Sequence, residues 1–198
     1  MIDVLGWDLD GLSRRYREAR PFPHLVLDGV LGEAGLAELR VAFAAEPHFP
    51  TGGEIYELLS SSDPPRHPEL KAFLAALSAG PAATALRAIT GKRFEHIEGR
   101  AYCYGQGHYL LPHTDCRKDL DRRLAFVFYV ACEGLEGGEL ELFEVGLEGG
   151  EVVSTAPSVR IAPQPDRLVV FDVSRVTLHQ VLEVRRGWRG SIAGWLLG

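Results

Sequence analysis

The sequence predicts an α+β fold, mainly β, in which helices of the first half support a sandwich or jelly roll formed by the second half. Apolar residues recur at helical spacing in the first half, whereas from Phe94 onward short β-branched and aromatic runs alternate with Gly/Pro turns. The 198 residues can bury one core without disulfides or a structural metal. We expect one domain over residues 1–198, with mainly helical support over 1–92 and the β core over 93–198.

Three segments of the first half have the marks of helices. Glu33–Glu46 places its leucine, alanine and phenylalanine side chains near helical spacing. Pro68–Leu77 and Pro81–Thr90 each begin with proline, which suits a first helical position, and Gly91 suits the end of the second. Pro47–Arg66 is rich in Pro, Gly and Ser, so we expect a long loop, either a mobile lid over a site or an ordinary surface loop.

The second half contains a series of expected strands. Arg123–Ala131 is a continuous apolar run, typical of a strand buried on both faces. Glu139–Phe143 alternates between polar and apolar residues, as a half-exposed strand does, and follows a glycine turn. The other expected strands are Arg167–Phe171, Val176–Val184 and Arg189–Leu197.

Charge and cysteine content restrict the class of protein. The net charge of -6 argues against broad binding to nucleic acid or anionic membranes, although a local basic patch stays open. The sequence has no run near the roughly 18 apolar residues of a membrane helix, and its acidic opening lacks the pattern of a secretory signal. Cys103, Cys116 and Cys132 form no CxxC pair, which fits reduced thiols. We expect a cytoplasmic protein with neither a membrane nor a nucleic acid as partner.

The search for a metal site starts from a histidine followed two residues later by a carboxylate, because these positions of a strand point the same way. Chance alone predicts about one such pair. Three occur: His67/Glu69, His96/Glu98 and His113/Asp115.

Context separates the three pairs. Glu69 begins a helix, where a carboxylate is favourable for its charge alone. Glu98 is interpreted as part of a solvated strand face, with Gly99-Arg100 as its partner or as a turn. Asp115 ends a strand before a polar loop, a usual place for ligands in a β fold.

Two later residues complete a constellation with His113 and Asp115. His179 lies inside an apolar strand and Arg189 begins the last strand; singly, the first would be a core histidine and the second a solvated strand end. Two histidines and a carboxylate form a facial triad that leaves three positions open on non-haem Fe(II). A buried guanidinium fits the distal carboxylate of a dicarboxylic acid whose other end chelates the metal.

Several motifs follow one another in a fixed order along the second half. They are His113-x-Asp115, the strand Arg122–Val130, Gly137-Gly138-Glu139-Leu140, Pro163-x-x-Asp166-Arg167, His179-Gln180-Val181 and Arg189-Gly190-Ser191-Ile192-x-Gly194-Trp195. Together they resemble the prolyl-hydroxylase-like 2-oxoglutarate/Fe(II) oxygenases. The resemblance covers about residues 21–198, with Pro21–His24 as an opening strand, and the tail from Leu168 is similar to the catalytic domain of ribosomal-protein prolyl hydroxylases.

The resemblance implies a double-stranded β-helix, which is a cupin-like jelly roll, and a set of site residues. His113, Asp115 and His179 would bind Fe(II). Arg189 would bind the C5 carboxylate of 2-oxoglutarate, assisted by Ser191 two residues later on the same strand face.

Two tyrosines, Tyr104 and Tyr129, stand where the family often supplies a phenol to the cosubstrate; aromatic core packing is the alternative. The implied activity is that of an oxidoreductase, a dioxygenase that consumes O2 and 2-oxoglutarate and releases succinate and CO2, with L-ascorbate as a stimulant. The expected substrate is a prolyl residue of a protein or peptide, and the alternative is a free amino acid or another small metabolite.

Two other classes of protein remain as alternatives. A non-catalytic cupin-like binding domain has no reason to retain the triad together with Arg189. A zinc hydrolase could use the same three ligands, but Arg189 and the lack of an evident base beside His113 disfavour it. The eukaryotic ribosomal-protein hydroxylases carry a second β-helix domain, whereas this sequence ends after the last motif. We therefore expect substrate recruitment by the single domain, by a homodimer or by a separate partner.

Overall fold

The computed structural model describes Ile2 and residues 4–198; Met1 and Asp3, two residues of the acidic opening segment, lie outside the described residues. In this part of the chain, the helices are α1 (Leu9–Glu18), α2 (Gly32–Ala45), α3 (Pro68–Ser78) and α4 (Gly80–Thr90). The strands are β1 (His24–Asp28), β2 (Phe49–Gly53), β3 (Tyr56–Ser60), β4 (His96–Gly105), β5 (Tyr109–His113), β6 (Arg122–Gly137), β7 (Leu140–Glu148), β8 (Glu151–Ile161), β9 (Arg167–Asp172), β10 (His179–Val181) and β11 (Val184–Leu197). The fold is α+β and mainly β, as predicted.

The strands form one antiparallel sheet in the order β1-β9-β6-β11-β4-β3-β5-β10-β7-β8, and β2 pairs with β3 outside this path. Strand β6 shows why the sheet has two buried faces. Phe126 and Phe128 belong to the core under the helices, whereas Ala125 and Tyr129 face a cavity on the other side. The alternation follows from the period of two in a strand, and it confirms the prediction of a strand buried on both faces.

The helices cover one face of this sheet. Their apolar residues pack against β4, β6 and β11 in the main core, in which Leu70, Leu86 and Phe128 are fully buried. Within the described residues, no single helix is long and apolar enough to cross a membrane, and only α3 and α4 together, bent by 41°, reach that length and composition.

Buried carboxylates join the helices to the rest of the chain. Asp166, in a left-handed conformation with φ of 63°, accepts hydrogen bonds from the backbone N–H groups of Leu31 and Gly32 at 2.7 and 2.9 Å. These N–H groups belong to the first turn of α2, which the side chain of Leu31 cannot cap. Glu46 likewise accepts from the N–H groups of Arg66 and His67 at the start of α3.

A further polar contact ties α1 to the end of β9. The Tyr16 hydroxyl donates to the Asp172 carboxylate, which also lies 3.0 Å from the Lys92 ammonium. Burial, and then the neighbouring carboxylate, raise the pKa of Tyr16, so its phenol stays protonated as a donor.

Several predictions about local structure need correction. Pro47–Arg66 is not a plain loop, since it contains the hairpin of β2 and β3, and β3 pairs with β4 and β5. Val176–Val184 is not one strand, because only His179–Val181 is extended before β11 begins. The opening strand begins at His24, and Gly99-Arg100 lies inside β4 and forms no turn. Helix α1 and strand β8 were not expected from the sequence.

Candidate metal centre and cosubstrate site

The structure brings His113, Asp115 and His179 together although β5 and β10 are far apart in sequence. These two strands pair so that His113 and His179 are Cα partners, and Asp115 follows two residues after the end of β5. The Asp115 carboxylate oxygens lie 3.7 Å from His113 Nε2 and 3.4 Å from His179 Nε2. The three groups offer ligand atoms within 4.8 Å of one another, so they form a candidate site for a single metal ion.

Hydrogen bonds fix the tautomer of both imidazoles. His113 Nδ1 lies 2.9 Å from the Leu111 carbonyl oxygen, and His179 Nδ1 lies 3.0 Å from the Thr177 carbonyl oxygen. A carbonyl only accepts, so each Nδ1 carries the proton and each Nε2 presents a lone pair toward Asp115. Burial lowers the pKa of His179, although the negative charge of Asp115 acts to raise it. The lowered pKa favours the neutral imidazole, which is the form that binds metals.

Arg189 lies in the same cavity and has an unusual environment for a cation. It is only 2% exposed, and its guanidinium lies 4.4 Å from the ring centre of Tyr104 and 5.2 Å from that of Tyr129. Its buried Nε and Nη1 have no hydrogen-bond partner among the described residues. Because arginine keeps its charge when buried, this arrangement calls for an anion.

The phenols beside Arg189 remain donors. Burial raises the pKa of both Tyr104 and Tyr129, and the Arg189 charge opposes this effect. The buried Tyr129 hydroxyl also has no partner in the part of the chain that the structure describes. Ser191 is 1% exposed and lines the cavity with Arg189, on the strand face that the sequence predicts.

The cavity has a volume of about 730 Å³ and reaches from Arg189, past the His-Asp-His cluster, to the β2–β3 hairpin. Its walls are the inner faces of the sheet, including Ala125, Tyr129 and Phe171, and the hairpin adds Thr51 and Tyr56. The cavity between the inner faces of the sheet is therefore large enough to hold more than one small ligand at a time.

One cavity group was missed by the sequence analysis. The Arg122 guanidinium lies 3.4 Å from the ring centre of Trp195, and its Nη2 is 3.7 Å from the Glu98 carboxylate. Its buried Nε has no partner among the residues described. The sequence gives Arg122 only an indirect signal. The period of two in β11 places Trp195, which Arg122 contacts, on the same strand face as Arg189 and Ser191, and these residues line the cavity.

The other two His/carboxylate pairs lie away from the cluster. His67 Nδ1 accepts from the Glu69 N–H at the start of α3, a helix-capping contact. His96 is exposed at the start of β4. Glu98 faces the cavity, and its partner there is Arg122, whereas Arg100 pairs with Asp63 at 3.5 Å.

Comparison with known proteins agrees with this geometry. Residues 99–197 match the model of the 2OG-Fe(II) oxygenase superfamily. The chain is 30% identical over 189 residues to prolyl 3-hydroxylase OGFOD1 of Xenopus laevis. That alignment covers 90% of this chain but 35% of the relative, so the chain spans about a third of the relative's length.

Two solved structures share the fold. An oxidoreductase of the 2OG-Fe(II) oxygenase family from Burkholderia pseudomallei has a TM-score of 0.72 at 17% identity, covering 97% of this chain and 92% of that one. A prolyl-4-hydroxylase from Pseudomonas putida has a TM-score of 0.67 at 24% identity, covering 94% and 98%. The predicted double-stranded β-helix is confirmed. Since the family pattern occupies half of the sequence, the chain belongs to the 2OG-Fe(II) oxygenase superfamily, whose dioxygenases use Fe(II), 2-oxoglutarate and O2.

Proposed function

We propose that this chain hydroxylates a prolyl residue in a protein or peptide, with His113, Asp115 and His179 as ligands of Fe(II) and Arg189 as the partner of the 2-oxoglutarate C5 carboxylate. Support for the substrate comes from the relatives, which include a prolyl 3-hydroxylase and a prolyl-4-hydroxylase. Support for the site comes from the cluster and the unpartnered guanidinium in one cavity.

The residues of the cluster fit Fe(II). Two imidazole nitrogens and one carboxylate are the donor set of non-haem Fe(II) oxygenases. Both Nδ1–H groups are held by backbone carbonyls, so the two rings present Nε2 without rearrangement. The ion would also give the buried Asp115 carboxylate a directly bound counter-charge.

The environment of Arg189 is the main support for 2-oxoglutarate as the cosubstrate. Its Nε and Nη1 are free and buried in the cavity that also holds the three ligands. A carboxylate, which accepts charge-assisted hydrogen bonds and supplies the opposite charge, is the natural partner of such a buried guanidinium. The Tyr129 hydroxyl, buried without a partner, and the hydroxyl of Ser191 line the same end of the cavity and are available to donate to the second oxygen.

With Fe(II) and 2-oxoglutarate bound, O2 would be the oxidant: one of its oxygen atoms would go to the prolyl carbon and the other to succinate, with release of CO2. The protein binds and orients the reactants. The apolar walls of the cavity would limit contact of the reactants with water, and the three ligands would hold the ion. In the same cavity, the free Nε–H of Arg122 is available to a substrate carbonyl, a group that every peptide bond offers.

The experiment is anaerobic purification, addition of Fe(II), 2-oxoglutarate and air, and measurement of succinate with and without peptides from a cell lysate. Mass spectrometry then searches for peptides that gain one oxygen on proline. Succinate formation that depends on such a peptide supports the proposal. Stimulation only by free amino acids or small metabolites would contradict the protein substrate and leave the reaction class in place.

The same proposal includes three further features. L-ascorbate is expected to stimulate turnover by keeping the metal reduced. The cytoplasm is the proposed location, supported by three free cysteines, Cys103, Cys116 and Cys132. Recruitment of the substrate by a homodimer is proposed as well, and sedimentation of the purified chain tests it.

A further inference from the structure

A buried carboxylate outside the proposed reaction is joined to the strand that carries His179. Glu141 in β7 is 2% exposed, and both of its oxygens have partners. Its Oε2 accepts from Gln180 Nε2 at 2.5 Å, and its Oε1 accepts from Arg160 Nε at 2.6 Å. Gln180 directly follows His179, so this contact lies one residue from a proposed metal ligand.

The three side chains form a row across neighbouring strands. Glu141 pairs with Gln180 in β10 and with Arg160 in β8. His179 pairs instead with Leu142, whose side chain belongs to the core that lines the cavity. Because successive residues of a strand face opposite ways, the row lies on the outer face of the sheet while His179 points inward.

The strand β10 has few other features that define its register. It has three residues, and its pairing with β5 is irregular between His179 and Val181. On the inner face it meets Leu140 and Leu142, two identical side chains that do not distinguish a shift by two residues. A slip by one residue would turn His179 to the outer face. A polar pair on the outer face specifies a single register, as buried polar residues do elsewhere.

We propose that Glu141 is a positioning residue, which holds β10 through Gln180 so that His179 Nε2 stays directed at Asp115. This inference rests on the proposed function, since it assumes that His179 binds the metal. Glu141 contacts no reacting group, and its effect is therefore expected on metal affinity and on the geometry of the bound ion.

Co(II) is a suitable probe, because its visible absorption reports the ligand geometry without turnover. Wild-type protein is expected to bind Co(II) at the cluster, and His179→Ala is expected not to. In Glu141→Leu, which keeps a similar volume and removes both acceptors, we expect Co(II) affinity to fall about 10- to 100-fold with a changed spectrum. Glu141→Gln keeps an oxygen for Gln180 and should stay within about threefold of wild type.

Arg160→Leu is the matched control, because it removes the outer partner and leaves the contact between Glu141 and Gln180 in place. Its Co(II) affinity should remain within about threefold of wild type. If Glu141→Leu does not fold, Gln180→Met tests the same hydrogen bond from its half-buried end and should also weaken binding about tenfold.

The outcomes separate the two proposals. Wild-type affinity and spectrum in a folded Glu141→Leu, or in Gln180→Met, would overturn the role of Glu141 and leave the metal site intact. An equal loss in Arg160→Leu would also overturn it, because the contact with Gln180 would then not be the cause. Failure of wild-type protein to bind Co(II), or unchanged binding in His179→Ala, would overturn the metal site itself and the positioning role with it.

Discussion

The helix-covered side of the sheet and its cavity side both bury polar groups, but they treat them differently. Under the helices, the carboxylates of Asp166 and Glu46 each accept two backbone N–H groups. In the cavity, Arg189 and the Tyr129 hydroxyl are buried even more deeply and keep donors without a partner among the described residues. A buried polar group without a partner destabilises the fold. The difference indicates that the first set stabilises the chain, and it supports the proposal that ligands complete the second set.

The largest expected effect is in the metal cluster. His179→Ala removes one of the three proposed ligands, and we expect the rate of succinate formation to fall at least about 100-fold while the protein stays folded. Succinate formation and Fe(II) content of the purified variant are the measurements.

His24→Ala is the matched control for His179→Ala. His24 Nδ1 makes the same kind of contact, 2.9 Å from the carbonyl oxygen of Phe22, but the ring lies in β1 and pairs with no carboxylate among the described residues. This variant should keep wild-type activity. Equal losses in the two variants would contradict the assignment of His179 as a ligand.

The second effect concerns the cosubstrate. Arg189→Met removes the unpartnered guanidinium, and loss of a buried charge partner costs about 2–5 kcal/mol of binding free energy. We therefore expect the KM for 2-oxoglutarate to rise at least about 30-fold. The thermal midpoint should hold or rise, because a buried charge without a partner is removed.

Arg186→Met, on the same strand, is the control for Arg189→Met. Arg186 is largely exposed and pairs with Glu136 at 3.3 Å, so neither KM nor stability should change much. An unchanged KM in Arg189→Met would show that the cavity binds its anion elsewhere.

The helices could be predicted because their signals are local. Pro68, Pro81 and Gly91 mark the ends of α3 and α4, and the structure agrees within one residue. The helix α1 was missed because Leu12 and Tyr16 are its only large apolar buried side chains, too few for a periodic pattern.

The β2–β3 hairpin could not be predicted from composition. Strand β2 is FPTGG and is mostly exposed, so nothing in its sequence favours a strand. It is extended because it pairs with β3, which in turn joins β4 and β5. Such pairing is a property of the whole sheet, and short segments carry little trace of it.

The site was predictable where a polar residue interrupts an apolar strand. His179 and Arg189 stand out in this way, and the structure brings them into one cavity with His113 and Asp115. Arg122 was missed because it begins its strand after a charged loop, where an arginine is ordinary. Its contacts with Glu98 and Trp195, one earlier and one much later in the chain, distinguish it in the structure.

Asp166, on the helix-covered side of the sheet, is expected to affect stability and not ligand binding. Asp166→Ala removes the acceptor for two N–H groups of α2 and puts alanine at a φ of 63°. We expect the free energy of unfolding to fall by about 2–3 kcal/mol, measured by urea denaturation, with the KM for 2-oxoglutarate unchanged. Asp166→Asn keeps one acceptor and tolerates the left-handed conformation, so it should lose less. Wild-type stability in Asp166→Ala would remove the assigned role.

The smallest effects come from one substitution made in both regions. The Tyr16 hydroxyl donates to Asp172, whereas the Tyr129 hydroxyl has no partner in the described part of the chain. Tyr16→Phe should lower the free energy of unfolding by about 1 kcal/mol and leave the KM for 2-oxoglutarate unchanged. Tyr129→Phe should leave stability unchanged or higher and raise that KM about fivefold, because the lost donor is used only when the cosubstrate is bound. If both variants lost stability and neither changed KM, the Tyr129 hydroxyl would be a structural group like that of Tyr16, and a free buried donor would no longer indicate a ligand in this cavity.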